Sequence, residues 1–195
     1  WDAVAYIAEL TVPTVQELSR LAPFGSGNPV PVFLLQNAAV DGIWPLGNEG
    51  RHCRIRLRQG GAACFVSLFG TAPDDLPYRM GTAVDAAGGV SIFQGRGGPM
   101  VSCHCCAMRP AGLGNAPAEQ AARFDAFLSG TALPDDERLA CLPTRADTAA
   151  VYRMVRTGNV FADDLQPLFA TAGPENTGKT LASLTALEQL GLIER

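Results

Sequence analysis

The stretch RHCRIRLRQ, Arg51 to Gln59, carries the densest basic pattern in the chain. On a β-strand successive side chains alternate between faces, so Cys53, Ile55 and Leu57 point one way while His52, Arg54, Arg56 and Arg58 point the other. Like charges at successive same-face positions repel, and a polyanion lying across them would remove that cost and release counterions. The chemistry implied is contact with a nucleic-acid backbone. The competing arrangement is a solvated face whose arginines pair with acids of a neighbouring strand. Aromatic rings would complete a strand-binding surface, because such sites stack bases on them while a basic groove follows the phosphates. The available rings are Trp44, Phe65, Phe69, Tyr78 and Phe93. Aromatics at strand positions are mostly packed inside, so only Trp44 and Phe93, near turns, are expected to be offered to a ligand. Arg51, beside the ladder, and Arg96, in the glycine-rich turn QGRGG, are added to the same groove.

Two other patterns suggest chemistry that their surroundings do not support. SCHCC, Ser102 to Cys106, would put His104 and Cys106 on one face of a strand and Cys103 and Cys105 on the other. The four cannot converge on one tetrahedral ion, and zinc-type C-x₂₋₄-C spacing is absent; buried, inert thiols are expected, with no metal site. GPENTGKT, Gly173 to Thr180, satisfies the phosphate-loop pattern G-x-x-x-x-G-K-[ST]. Such a loop must leave a buried parallel strand, whereas the preceding Leu165 to Ala172 has helical spacing and only fifteen residues follow Thr180. The expected structure is a helix stop at Gly173, a turn through Pro174 and a new helix capped by Asn176 or Thr177. The two histidines have no nucleophile partner, and no catalytic residue is assigned.

The elements that must hold these residues are legible from spacing. Val15, Leu18 and Leu21 recur at three-residue intervals after Pro13, which predicts a short helix over Thr14 to Leu21. PFGSGNPVPVF, Pro23 to Phe33, has too many Pro and Gly for regular structure and predicts a rigid turning loop, its glycines suited to positive φ. Five short apolar runs follow: Val32 to Val40, Cys53 to Arg58, Ala62 to Phe69, Thr82 to Phe93 and Met100 to Met108. Five strands at that spacing predict a small antiparallel barrel or sandwich. Beyond Pro110 come a linker-like PAGLGNAPAEQ, a short helix in AARFDAFLSG, and helical patterns over Arg145 to Arg156, Ala162 to Ala170 and Thr177 to Leu190. Three helices with short turns fit a helix-turn-helix or winged-helix module.

Of the 195 residues 47% are hydrophobic and 17% charged, which suits a packed core and excludes disorder. The formal net charge of −4 is unevenly spread. Residues 1–110 hold eight Arg against eight acids, and residues 111–195 seven basic against eleven acidic side chains. A nucleic-acid site must therefore be a local patch, in the first half. Six Cys without a signal-like apolar start are read as a reducing, cytoplasmic setting, and no apolar run approaches the ~20 residues of a membrane span. A chain opening at Trp1 without Met is read as a piece of a longer protein.

The run Leu21-Ala-Pro-Phe-Gly-Ser-Gly-Asn-Pro-Val-Pro-Val-Phe33 resembles the L-x-P-F-G-x-G-N-P-x-P-x-F signature of the bacterial RecJ family, the single-strand-specific 5′ to 3′ DNA exonucleases. Gly50-Arg51-His52, Phe69-Gly70, Val84-Asp85, Phe93-Gln94-Gly95 and Met108-Arg109-Pro110 match it further on. Leu142-Pro143 with Arg145, and Val151-Tyr152-Arg153, are similar to the extra C-terminal domain of clostridial-type members. The resemblance implies the end of the DHHA1 region with its connecting loop over 1–30, a five-stranded OB-fold domain over 31–110, a linker with a short helix over 111–142 and a helical, winged-helix-like domain over 143–195. It implies single-stranded DNA as ligand of Arg51, His52, Arg54, Arg56, Arg58, Arg96, Trp44 and Phe93. The loop of Pro23, Phe24, Gly25, Gly27, Asn28 and Pro29 would be a joint to the neighbouring DHHA1 domain. The family's Mn²⁺ or Mg²⁺ cluster needs a D-H-H triplet that this chain lacks, so this portion is expected to be inert by itself, with DNA repair and recombination as the setting of the longer protein. The helix at Thr177 to Leu190 offers little basic charge, which favours a protein-facing role for the acidic tail, with repair proteins as partners. An interaction module without DNA contact is the alternative.

Overall fold

The computed structural model describes all residues except 96, 158, 159, 161–163 and 195. Its backbone contacts divide the chain into two compact units, 1–111 and 112–195.

In the first unit, β1 (Ala3–Val4) lies parallel to β2 (Val32–Leu46), and a 3₁₀ turn at Ile7–Glu9 leads into α1 (Val12–Leu18). The Thr11 hydroxyl accepts from the Thr14 N–H at 3.3 Å and Pro13 sits in the first turn, the residue types that start helices. The proline-rich loop is closed by reciprocal backbone bonds between Gly25 and Asn28, and the Asn28 amide donates to the carbonyls of Leu21 at 2.7 Å and Pro23 at 3.1 Å. Gly25 and Gly27 do not have positive φ, contrary to the sequence expectation; the Asn28 bonds stabilise the turn without a left-handed residue.

The sheet continues through β3 (His52–Gln59), β4 (Ala62–Leu68), β5 (Ala83–Gly95) and β6 (Gly98–Pro110). Neighbours run β1-β2-β3-β4-β6-β5, and β2 also pairs with β5, which closes a barrel. β2 reaches both partners because it is long: Val32 to Ala39 face β5 and Ala39 to Leu46 face β3. A bulge between Val40 and Gly42 interrupts the ladder to β3. All pairings among the five long strands are antiparallel except β4 with β6. The inward-facing set Leu35, Val40, Cys53, Ile55, Leu57, Val66, Val84 and Cys103 is almost fully buried, joined by Ala5, Ile7 and Leu10 from the N-terminal segment. Tyr78 belongs to this core, with its hydroxyl donating to the Met108 carbonyl at 2.9 Å.

Buried Asp85 ties three strands. It accepts from the Asn37 N–H at 3.0 Å, across the irregular stretch of β2, and lies 3.4 Å from Arg109 of β6. Burying a carboxylate without such partners would be costly.

The second unit is helical: α2 (Ala116–Leu128), α3 (Asp135–Ala140), α4 (Arg145–Thr157), α5 (Gln166–Ala172) and α6 (Thr177–Gln189). α6 packs against α2 and α4, and Val151, Leu168, Leu184 and Leu187 form a core. Thr144 and Asp147 cap α4 reciprocally, through N–H donors at 2.8 and 3.2 Å, and the bonds from Thr144 hold the Asp147 carboxyl below its usual range. The helix expected from Ala162 begins at Gln166; residues 161–163 lie outside the described set.

Gly173 ends α5 with φ of +93°. Asn176 stands at the N-cap position of α6, as expected, but its side chain does not cap the helix: its amide donates backwards to the Ala172 carbonyl at 2.9 Å, closing the preceding helix. Thr177 does not cap it either, since its hydroxyl donates to the Pro174 carbonyl at 2.8 Å. With α5 ending in open carbonyls and a 3₁₀ turn intervening, both side chains find acceptors behind them instead of N–H groups ahead.

Candidate nucleic-acid interface

The alternation expected for β3 holds: Cys53, Ile55 and Leu57 are fully buried, and the arginines lie on the outer surface of the barrel. Register then decides their company. Arg54 faces Trp44 of β2 on one side and Ser67 of β4 on the other; Arg56 faces Gly42 and Phe65; Arg58 faces Ala39 and Ala63. Trp44 thus lies within a strand, three residues before the turn that begins at Gly47, and is 43% exposed.

Arg54 has no carboxylate partner among the described residues. Its guanidinium sits 5.0 Å from the Phe65 ring centroid and 4.8 Å from that of Phe93, and its Nε is buried without a hydrogen-bond partner. Two ring faces hold the cation in place without neutralising it. Trp44 meets Phe65 edge-on at 6.1 Å, and Arg56 lies 5.9 Å from the indole. Gly42 makes this possible: a Cβ there would come within 2.7 Å of Trp44 Cζ3. Arg56 also pairs with Asp41 at 2.8 Å, and Arg58 approaches the same carboxylate at 3.7 Å. Asp41 is the extra residue of the β2 bulge, so the irregularity turns an acid onto the basic face. The pairing reading of the ladder is realised for Arg56 and Arg58, which share one carboxylate, while Arg54 is held by rings.

Phe65 and Phe69, expected inside, are outside the core. With Cys64 and Val66 buried, alternation leaves Phe65 no inward position, and this signal is present in the sequence. Phe69, 57% exposed, meets His52 edge-on and lies parallel to His104. Arg51 pairs instead with Glu49 at 2.8 Å, both side chains being largely exposed. Arg96 lies outside the described residues.

Burial pushes the Cys53 thiol up to about 11, and the Cys64 and Cys105 thiols up to about 12. Cys106 departs from the expectation of buried thiols: it is exposed beside the irregular pairing of β5 with β6. Among the described residues no group of three His, Cys, Asp or Glu side chains could hold a metal ion. The two histidines both pack against Phe69, and these residues do not fit a two-metal centre. Among the described residues, too, no helix is long and apolar enough to cross a membrane.

A five-stranded barrel closed in the order β2-β3-β4-β6-β5, with a basic and aromatic surface on its second and third long strands, is an OB-fold with its charge on the face that such barrels use for oligonucleotides and oligosaccharides. Residues 1–105 match the family described as the RecJ OB domain, and the chain belongs to that family. The single-stranded-DNA-specific exonuclease RecJ of Bacillus subtilis (strain 168) is 32% identical over 57 residues, 29% of this chain and 7% of that protein. Two solved structures of RecJ from Thermus thermophilus are similar over 95% of this chain, each with a TM-score of 0.41. The Mg²⁺ complex is 20% identical with 36% of its length covered, and the Mn²⁺ complex 21% identical with 35% covered. The chain thus spans about a third of the length of these solved relatives.

Proposed function

We propose that the outer face of β3 and β4 binds single-stranded DNA, and that the chain is a non-catalytic, strand-holding portion of a RecJ-type 5′ to 3′ exonuclease. The observation that carries this is Arg54, a cation without a carboxylate partner among the described residues, set between Phe65 and Phe93 and beside the Trp44–Arg56 pair. Rings of this kind stack bases of any sequence while arginines follow the phosphates. On this reading, phosphodiester hydrolysis belongs to the DHH domain of the longer protein, whose Mn²⁺ or Mg²⁺ ions are held by residues this chain does not supply. The loop from Pro23 to Pro29 is the joint to the DHHA1 domain; its exposure, and the open space around Gly25 and Gly27, support a packing role toward something outside the barrel. The setting is cytoplasmic DNA repair and recombination, and the acidic second unit faces repair proteins.

The alternative, a protein-interaction module without DNA contact, draws support from Asp41, which shows that the ladder accepts a carboxylate. Fluorescence anisotropy with labelled oligo-dT separates the two. Binding at low salt is expected, with log K falling against log salt by a slope of about −0.7 per neutralised phosphate, and Arg54, Arg56 and Arg58 changed together to Ala should abolish it. Absence of binding at low salt, a flat salt response, or an unaffected triple variant would overturn the assignment.

A further inference from the structure

We propose that Phe69, flanked by His52 and His104, is a second base-stacking position, taking a nucleobase of the same single strand next to the Arg54 cluster. The inference rests on the DNA-binding reading above and extends it to Phe69 and His104, which that reading does not use. Phe69 is 57% exposed and is not part of the barrel core, so packing does not account for a phenyl ring there. Its ring is parallel to the His104 imidazole within 6°, with centroids 5.9 Å apart, and meets His52 edge-on at 5.3 Å.

Both imidazoles are held in place. The Gly70 N–H donates to His52 Nδ1 at 2.9 Å, and His104 Nε2 lies 3.1 Å from the Ser91 hydroxyl. With Nδ1 of His52 accepting, the proton of the neutral ring is on Nε2, a donor for a phosphate or keto oxygen. A platform ordered in advance costs little entropy when a base settles on it. The strand neighbours of His104 are Ser67 on β4 and Gly89 on β5, neither of which raises a wall beside the ring. His52 lies two residues from Arg54 on the same face, about 7 Å along the strand, so a chain of nucleotides leaving the Arg54 cluster meets Phe69 next.

The test uses the full chain with Phe69→Ala, Phe69→Leu and His104→Ala, and oligo-dT carrying a single 2-aminopurine at successive positions. Both Phe69 variants should bind about tenfold more weakly, with an unchanged salt slope because no phosphate contact is lost. One 2-aminopurine position should lose its stacking response. His104→Ala should weaken binding less. Phe69→Leu preserves apolar bulk without an aromatic face, so it decides the matter if the Ala variant unfolds. Wild-type affinity in Phe69→Leu, or a loss of affinity accompanied by a shallower salt slope, overturns the stacking position. If this happens while the triple arginine variant still abolishes binding, the main face stands. If the wild-type chain binds no DNA, both proposals fall together.

Discussion

At the scale of single residues the interface is governed by Asp41 and Gly42, neighbours with opposite effects. Asp41 occupies two arginines with an acid that, on the proposed function, an incoming phosphate would displace. Asp41→Asn should therefore tighten binding to oligo-dT several-fold and steepen the salt slope, while changing stability by less than about 1 kcal/mol, because the pair is partly exposed. Anisotropy across a salt series and urea unfolding check the two halves of that statement. Gly42 must lack a Cβ for the indole to lie over it. Gly42→Ala should cost about 1–3 kcal/mol through crowding, or else expel the ring. In a Trp1→Phe background, a shift of Trp44 emission together with the urea midpoint distinguishes those outcomes.

At the scale of elements, Asp85 and the buried thiols show what holds the barrel. Asp85→Ala would take the carboxylate from beside Arg109 and the acceptor from the Asn37 N–H, and should cost about 3 kcal/mol in urea unfolding. The thiols link stability to alkali. Their pKa values rise from 9.0 to about 11 for Cys53 and about 12 for Cys64, so the folded state keeps protons that the unfolded chain releases. Stability should be unaffected by these groups below the unfolded value of 9.0 and fall as pH rises from there towards about 12, as measured by the urea midpoint at successive pH values. The strands are legible because Cys53, Ile55 and Leu57 alternate cleanly with His52, Arg54, Arg56 and Arg58. The outward Phe65 is equally legible, but a general preference for buried aromatics outweighs the local alternation. Asp41 is not: a bulge inserts one residue without any local compositional mark, and only the pairing register reveals which face its side chain takes. The direction of Asn176 is hidden for a similar reason, since the same amide can serve the helix behind it or the one ahead.

At the scale of the whole molecule, each unit has a core of its own. A chain cut after Ala111 should fold cooperatively and keep the oligo-dT affinity of the full chain, as measured by urea unfolding and anisotropy; a molten fragment would show that the barrel depends on the rest. Electrostatics points the same way, because the acidic excess lies beyond residue 110. The eight residues from Gly173 to Thr180 show how a whole chain can be misread from one short string. Gly178 packs against Cys141, where an added Cβ would lie 3.4 Å from the sulfur, Thr180 is buried with its hydroxyl donating to the Asn176 carbonyl at 3.0 Å, and Gly173 turns the chain at positive φ. Lys179 is half-buried in the first turn of α6, where its charge helps to hold the Asp147 carboxyl below its usual range. In a nucleotide-binding loop these positions would cradle a phosphate; here they turn the chain, admit a neighbouring helix and fill the core, and Thr180 is among the most constrained of them.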